Sequence, residues 1–307
     1  MPNMRLAIAA STMDSEPLLT KLLNTPSLNI VGISHPDPSV RQNLEHEASI
    51  PTAPSLTALR DDVDVQAVVL APGYSPNDTR GEDASISIPC ATFLSSGNTR
   101  FVFDLLSDTK EPGANSQVLL PSLYRQPYAV LRESLDSERV GSARFLRWTS
   151  WWPQPVAVHD LLLNELVAVL SLMGQAPVIA YGVTHSIATD ADDYLIATLT
   201  FEHGLTAALD IGAALAGGHP FNRVMLVGAN GSIHTDSRAA SVTHLSKNTA
   251  SPVDMADPLD AHVHAVEAFT SGATAPNDLA LNALRTSDAI LNSCASARPV
   301  QIPTSSP

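Results

Sequence analysis

The chain begins by repeating one unit, and that repeat narrows its fold more than any other feature: an apolar run without alternation, a turn, then a stretch whose apolar residues fall at helical spacing. Residues 5–9, with Leu6, Ala7, Ile8 and Ala9, read as a strand buried on both faces, and Leu18, Leu19, Leu22 and Leu23 mark one face of a helix over 14–23. "LNIVGISHPD" from Leu28 gives a second strand, "SVRQNLEHEA" a second helix, and "VDVQAVVLAPG" a third strand that stops at Pro72-Gly73. Strands joined through helices need crossovers, and right-handed crossovers make a parallel, doubly wound sheet. From Asn77 to Gly113 the residues turn to Ser, Asp, Thr and Gly, and the pattern thins to one short strand at "SISIP".

The second half follows a different rule. "SQVLLPSLYRQPYAVLRESLDSERVGSARFLRWTSWW" reads as a strand, a helix from about Pro127 to Leu135, a stop at Gly141 and an alternating strand ending in two tryptophans, with the domain junction at its start. "HDLLLNELVAVLSLMG" is a long apolar helix closed by Gly174. Alternating stretches at "VIAYGVTHSI", "DYLIATLTFEHGLTAALDIG" and "FNRVMLVGANGSIHTD" carry hairpin turns at His203-Gly204 and Asn230-Gly231. The expected fold class is therefore α/β: a Rossmann-like doubly wound parallel sheet over 1–121, then an α+β domain over 122–307 with an open, mostly antiparallel sheet. A Ser/Thr/Asp-rich loop from Ser237 to about Asp257, two closing helices and a polar tail at about 303–307, expected to be disordered, complete the second domain.

Composition excludes several partners. Seventeen Lys and Arg against 31 Asp and Glu give a net charge of -14, which repels nucleic acid and anionic membrane surfaces. No stretch approaches the roughly 20 apolar residues of a membrane helix. Cys90 and Cys294 stand far apart with no zinc-type spacing, so no metal is expected, and reduced thiols suit a cytoplasmic protein. His262 and His264, two residues apart on a helix, point to different sides and form no metal pair.

Three segments together resemble the Gfo/Idh/MocA oxidoreductase family: "SLNIVGISHPDPSVRQNLEHEASIPTAPSLTALRDDVDVQAVVLAP", "YRQPYAVLRESLDSERVGSARFLRW", and the last fifty residues with their "ALRTSDAILNSCASARPVQI" ending. The resemblance spans nearly the whole chain and implies a two-domain fold with an interdomain cleft, a nicotinamide cofactor and a homodimer formed through the C-terminal sheet. It departs from the family where the chemistry would sit. The three glycines of the G-x-G-x-x-G loop fall on Ala10, Thr12 and Ser15, and Asp14 stands at a helix start that phosphate would need. The acid that would accept from the ribose hydroxyls falls on His35. The E-K-P motif falls near Ala91-Thr92-Phe93, with no Lys within ten residues.

The family's D-x-x-x-H motif maps onto Asp160 and Asn164, four apart on one helical face, so the acid is kept and the base becomes an amide. His159 lies about 100° round the helix from Asp160 and suits proton transfer. The expected catalytic pair is His159 and Asp160. Asn164, Tyr124, Arg125, His219 and one of Trp151 and Trp152 are expected at the substrate, with Arg125 suited to an anionic or polyhydroxy group. Each has a plainer role open to it: Asp160 as a dipole partner, Arg125 as an ion pair, His159 as a structural histidine.

These losses lead to an expectation of no cofactor, with acid/base chemistry such as elimination, isomerisation or cyclisation on a small polar molecule. The alternative is an NAD(P)-dependent oxidoreductase on a sugar or imine, its cofactor held through Ser11, Thr12 and His35. A second alternative is an inactive sensor or scaffold.

Overall fold

A computed structural model describes residues 4–11, 15–72, 74, 89–94, 116–153, 158–188, 190–213, 220–237, 241–244, 249–252, 257–273 and 276–303. The chain forms two units, Met1–Pro121 with Pro258–Asn277, and Ser122–Asp257 with Asp278–Pro307. In the first, strands β1 (Arg5–Ala9), β2 (Asn29–Ser34), β3 (Thr52–Ala53), β4 (Ala67–Leu70), β5 (Cys90–Phe93) and β6 (Ser116–Leu119) make a parallel sheet in the order β3-β2-β1-β4-β5-β6. Helices α1 (Glu16–Leu23), α2 (Pro38–Ala48) and α3 (Leu56–Asp62) join its strands.

Burial explains the unalternating strands. Leu6, Ala7, Ile8, Ala9 and Val68 are at most 1% exposed, as expected where helices cover both faces. Helix α2 starts where Asp37 accepts from the Ser39 N–H at 2.8 Å, and α3 starts where Ser55 Oγ accepts from the Ala58 N–H at 3.2 Å. "SISIP" lies outside the described residues up to Pro89, and β5 follows directly at Cys90.

The first unit also takes in a late segment. In helix α6 (Pro258–Ser271), Asp260 pairs with Lys21 of α1 at 2.6 Å, Glu267 accepts from the Ser27 hydroxyl, and the His262 ring lies 5.3 Å from that of Phe93. Asn277 then closes β6, its Oδ1 accepting from the Val118 N–H and its Nδ2 donating to the Ser116 carbonyl.

The second unit is built on nine strands: β7 (Ala143–Trp151), β8 (Ile179–His185), β9 (Tyr194–Thr200), β10 (Thr206–Gly212), β11 (Phe221–Gly228), β12 (Ser232–Asp236), β13 (Ser241–His244), β14 (Thr249–Pro252) and β15 (Val300–Gln301). Their order is β14-β13-β12-β11-β7-β10-β9-β8-β15, and among the described residues only the β7–β10 pair runs parallel. Helices α4 (Tyr128–Asp136), α5 (Val158–Met173) and α7 (Asn277–Ser296) complete it, the first residue of α7 still belonging to the first unit. Where a loop was expected after Ser237, β13 and β14 form an antiparallel hairpin that extends the sheet beyond β12.

Alternation divides this sheet cleanly. Trp148, Ser150, Leu209, Ile211, Val224 and Leu226 lie on the face covered by α5, and Trp151, Tyr194, Ile196, Asp210 and Arg223 lie on the other. Gly141 takes a positive φ of 68° at the turn before β7, and a Cβ on Gly228 would stand 2.1 Å from the Val140 carbonyl oxygen.

Candidate functional site

At the carboxyl edge of the first sheet, the chain leaves β1 through Ala10, whose N–H donates to the Ser34 carbonyl at 3.0 Å. This is the reversal point of the strand order, with β2 on one side of β1 and β4 on the other, and doubly wound sheets take their ligands there. Two of the expected glycine positions hold small buried residues, Ala10 at 1% and Ser15 at 4% exposure, and Ser15 precedes α1 without capping it through its side chain. Thr12 and Asp14 lie outside the described residues.

His35 follows β2 at this edge and is 1% exposed. Its Nδ1 accepts from the Asp37 N–H at 3.1 Å, which places the proton of a neutral ring on Nε2. That Nε2 is buried with no hydrogen-bond partner among the described residues. An unmet buried donor costs about 1–3 kcal/mol and calls for an explanation. Arg41 braces the same turn, its Nη1 donating to the carbonyls of His35 at 2.7 Å and Pro36 at 2.8 Å.

In the second unit a carboxylate that sequence reasoning missed is the hub. Glu165 on α5 is 1% exposed; its Oε2 accepts from Trp148 Nε1 at 2.7 Å and Arg125 Nη2 at 3.1 Å, and its Oε1 from Ser150 Oγ at 3.0 Å. Trp152 Nε1 donates in turn to Ser150 Oγ at 3.1 Å. Three donors, one of them cationic, are what a buried carboxylate requires to stay in place. A signal for it existed: Glu165 is an acid with buried apolar residues on both sides in α5, and such a charge must find a partner.

The same region holds further unmet polar atoms. Asn222 faces Ser150 across the β11–β7 ladder, and its Oδ1 is buried without a partner among the described residues, as are Ser122 Oγ, Gln126 Oε1 and Thr235 Oγ1. Ser122 and Gln126 flank Tyr124 and Arg125 in sequence. Tyr124 is half-buried, and burial, with Tyr128 adding to it, raises its hydroxyl above the ordinary tyrosine range.

The expected site residues separate accordingly. Arg125 meets Glu165 of its own unit, so its ion pair and a substrate role are compatible: one Nη2 contact leaves other N–H groups of the guanidinium. The tryptophans part company, Trp152 joining Ser150 while Trp151 donates to Asp210 at 2.8 Å on the opposite face and packs edge-on against Tyr194 and Phe221. His159 is exposed on the first turn of α5, and Asn164 is half-buried one turn on. The side chain of Asp160 and the whole of His219 lie outside the described residues. At the E-K-P position Ala91, Thr92 and Phe93 are buried. Among the described residues no group of three or more His, Cys, Asp or Glu could hold a metal, and no helix is long and apolar enough to cross a membrane.

No protein-family model and no curated protein matches the sequence. Solved structures match it over almost its full length. Myo-inositol 2-dehydrogenase from Lactobacillus plantarum covers 98% of this chain and 100% of its own, with 17% identity and a TM-score of 0.79. An oxidoreductase from Agrobacterium radiobacter in complex with NAD+, L-tartaric acid and magnesium covers 98% of both chains, with 13% identity and a TM-score of 0.82. GenD2 from gentamicin A biosynthesis, in complex with NAD, covers 98% of this chain and 97% of its own, with 18% identity and a TM-score of 0.75.

Two of these three structures hold NAD, and that overturns the expectation of a chain without a cofactor. That expectation rested on the glycines, the ribose-binding acid and the E-K-P lysine being lost together. Glycines are one way of bringing a backbone close to phosphate, whereas the strand order that creates the crevice is intact. The chain therefore has the two-domain fold of the Gfo/Idh/MocA oxidoreductases.

Proposed function

We propose that this chain is an NAD(P)-dependent oxidoreductase acting on a sugar or imine. The observation that carries the reading is the β3-β2-β1-β4-β5-β6 order, with its reversal at β1, in a chain that superposes over 98% of its length on structures holding NAD. The residues at that edge suit a dinucleotide: His35 offers a buried N–H without a partner among the described residues, and the chain leaves β1 there through Ala10 and Ser11.

A nicotinamide held at that edge would supply or accept a hydride. Oxidising an alcohol to a carbonyl also releases a proton, and this falls to the chain's own side chains. Within the second unit, His159 on the first turn of α5, with Asp160 beside it in sequence, is the side chain suited to taking such a proton. Arg125, its guanidinium fixed by Glu165, and Asn222, with its unmet Oδ1, orient the oxygens of a polar substrate, and Asn164 adds an amide that hydrogen-bonds but cannot carry the proton.

Titration of the purified protein with NADH and NADPH, read by fluorescence and by melting temperature, tests the reading. Binding tighter than about 100 μM raises stability by of order 1 kcal/mol at millimolar nucleotide. Absence of a shift with both nucleotides removes the reading.

A further inference from the structure

The residue after β2 decides which ribose a doubly wound sheet accepts. An acid there takes hydrogen bonds from the 2′-hydroxyl of NAD, whereas a cation nearby accommodates the 2′-phosphate of NADP. This chain reverses the polarity of the position: His35 presents Nε2–H, a donor, because its Nδ1 is occupied by the Asp37 N–H. A donor cannot replace the acid toward two hydroxyl protons, but it matches a phosphate oxygen.

The surroundings agree. Arg41 is tied to the backbone of this turn by Nη1 alone, and a guanidinium carries further N–H donors on Nε and Nη2. The one carboxylate in the turn, Asp37, is engaged through Oδ1 by both the N–H and the hydroxyl of Ser39 at the start of α2, where the helix dipole offsets its charge. We propose that this chain selects NADP over NAD, the 2′-phosphate being received by His35 Nε2–H and the Arg41 guanidinium. The inference rests on the nucleotide reading above and adds the form of nucleotide.

The test is binding, without turnover: titration calorimetry of the intact protein with NADPH, NADH, 2′,5′-ADP and 5′-ADP. The phosphorylated member of each pair is expected to bind about tenfold or more tightly, the scale of one or two charge-assisted hydrogen bonds. Arg41→Gln should weaken NADPH about tenfold more than it weakens NADH, and His35→Asp should bring NADH level with NADPH or ahead of it. If a variant fails to fold, the wild-type pairs still decide. NADH binding as tightly as NADPH overturns the selection while the oxidoreductase reading stands; failure of all four probes to bind overturns both.

Discussion

Replacing Glu165 by leucine, which fills a similar volume, isolates the polar hub of the second unit from any cavity effect. Three donors lose their acceptor, and they differ in what they can do next. The Ser150 hydroxyl can rotate, and the Arg125 side chain, 22% exposed, can reach water, so its lost pair is worth only about 1 kcal/mol. Trp148 is 1% exposed and its Nε1–H has nowhere to go, which costs about 1–3 kcal/mol. The sum is about 2–4 kcal/mol, or a melting point lower by roughly 4–16 °C for a unit of 150–250 residues. Glu165→Gln keeps one oxygen for Trp148 and should cost about 1–2 kcal/mol. Urea unfolding followed by tryptophan fluorescence measures both. A Glu165→Leu protein within about 0.5 kcal/mol of wild type, or a glutamine variant as unstable as the leucine one, would refute the assignment of Glu165 as the hub.

Other positions give sharper single readouts. Gly228→Ala drives a methyl against the Val140 carbonyl, which already accepts from the Asn230 N–H at 2.9 Å, so backbone must move; a loss of about 2–4 kcal/mol is expected, and an unchanged melting curve would contradict it. Tyr194 is pushed from 10 up to about 12 by burial and then by its hydrogen bond to Asp210. The folded phenol therefore stays neutral where the unfolded one ionises, giving stability that is whole below pH 10 and lost as pH climbs toward 12; Tyr194→Phe should flatten that alkaline fall in melting temperature. On the sheet face away from α5, Val183 at 37% and Ile196 at 48% exposure sit opposite each other, with Tyr181 at 39% along the same strand. Such a patch is expected to pair with a second copy of the chain. Sedimentation should show a dimer that Val183→Lys with Ile196→Lys dissolves, and a wild-type monomer at tens of micromolar would end the idea.

Much of the fold was legible because period follows environment. A strand covered on both faces loses its alternation, as at Leu6–Ala9, and one covered on a single face keeps it, as at Tyr194–Thr200. The β13–β14 hairpin was hidden because its strands, Ser-Val-Thr-His and Thr-Ala-Ser-Pro, are four residues each and mix polar with small apolar residues, too short a run for a period to show. The return of α6 to the first unit was hidden for a different reason: periodicity reports which face of a helix is buried, never against what. At the site, the missing glycines at Ala10 and Ser15 were visible but were given more weight than they carry. His35 was singled out because the resemblance places the ribose-binding acid there, and Glu165 was passed over because a lone acid in an apolar helix carries no motif, only an unpaid desolvation that Arg125, Trp148 and Ser150 settle in three dimensions.

The interrupted make-up of the first unit also sets a clock. Its six described strands are all synthesised by Pro121, yet the helix that pairs with Lys21 and Ser27, and the asparagine that closes β6, come only after Ser122–Asp257 of the second unit has been made. At ribosomal speeds of roughly 5–20 residues per second, the emerging sheet waits on the order of ten to thirty seconds for its last helix. Throughout that interval the backbone groups of Ser116 and Val118 on β6 lack the Asn277 side chain that later closes them, and an unclosed strand is a place where another chain can pair.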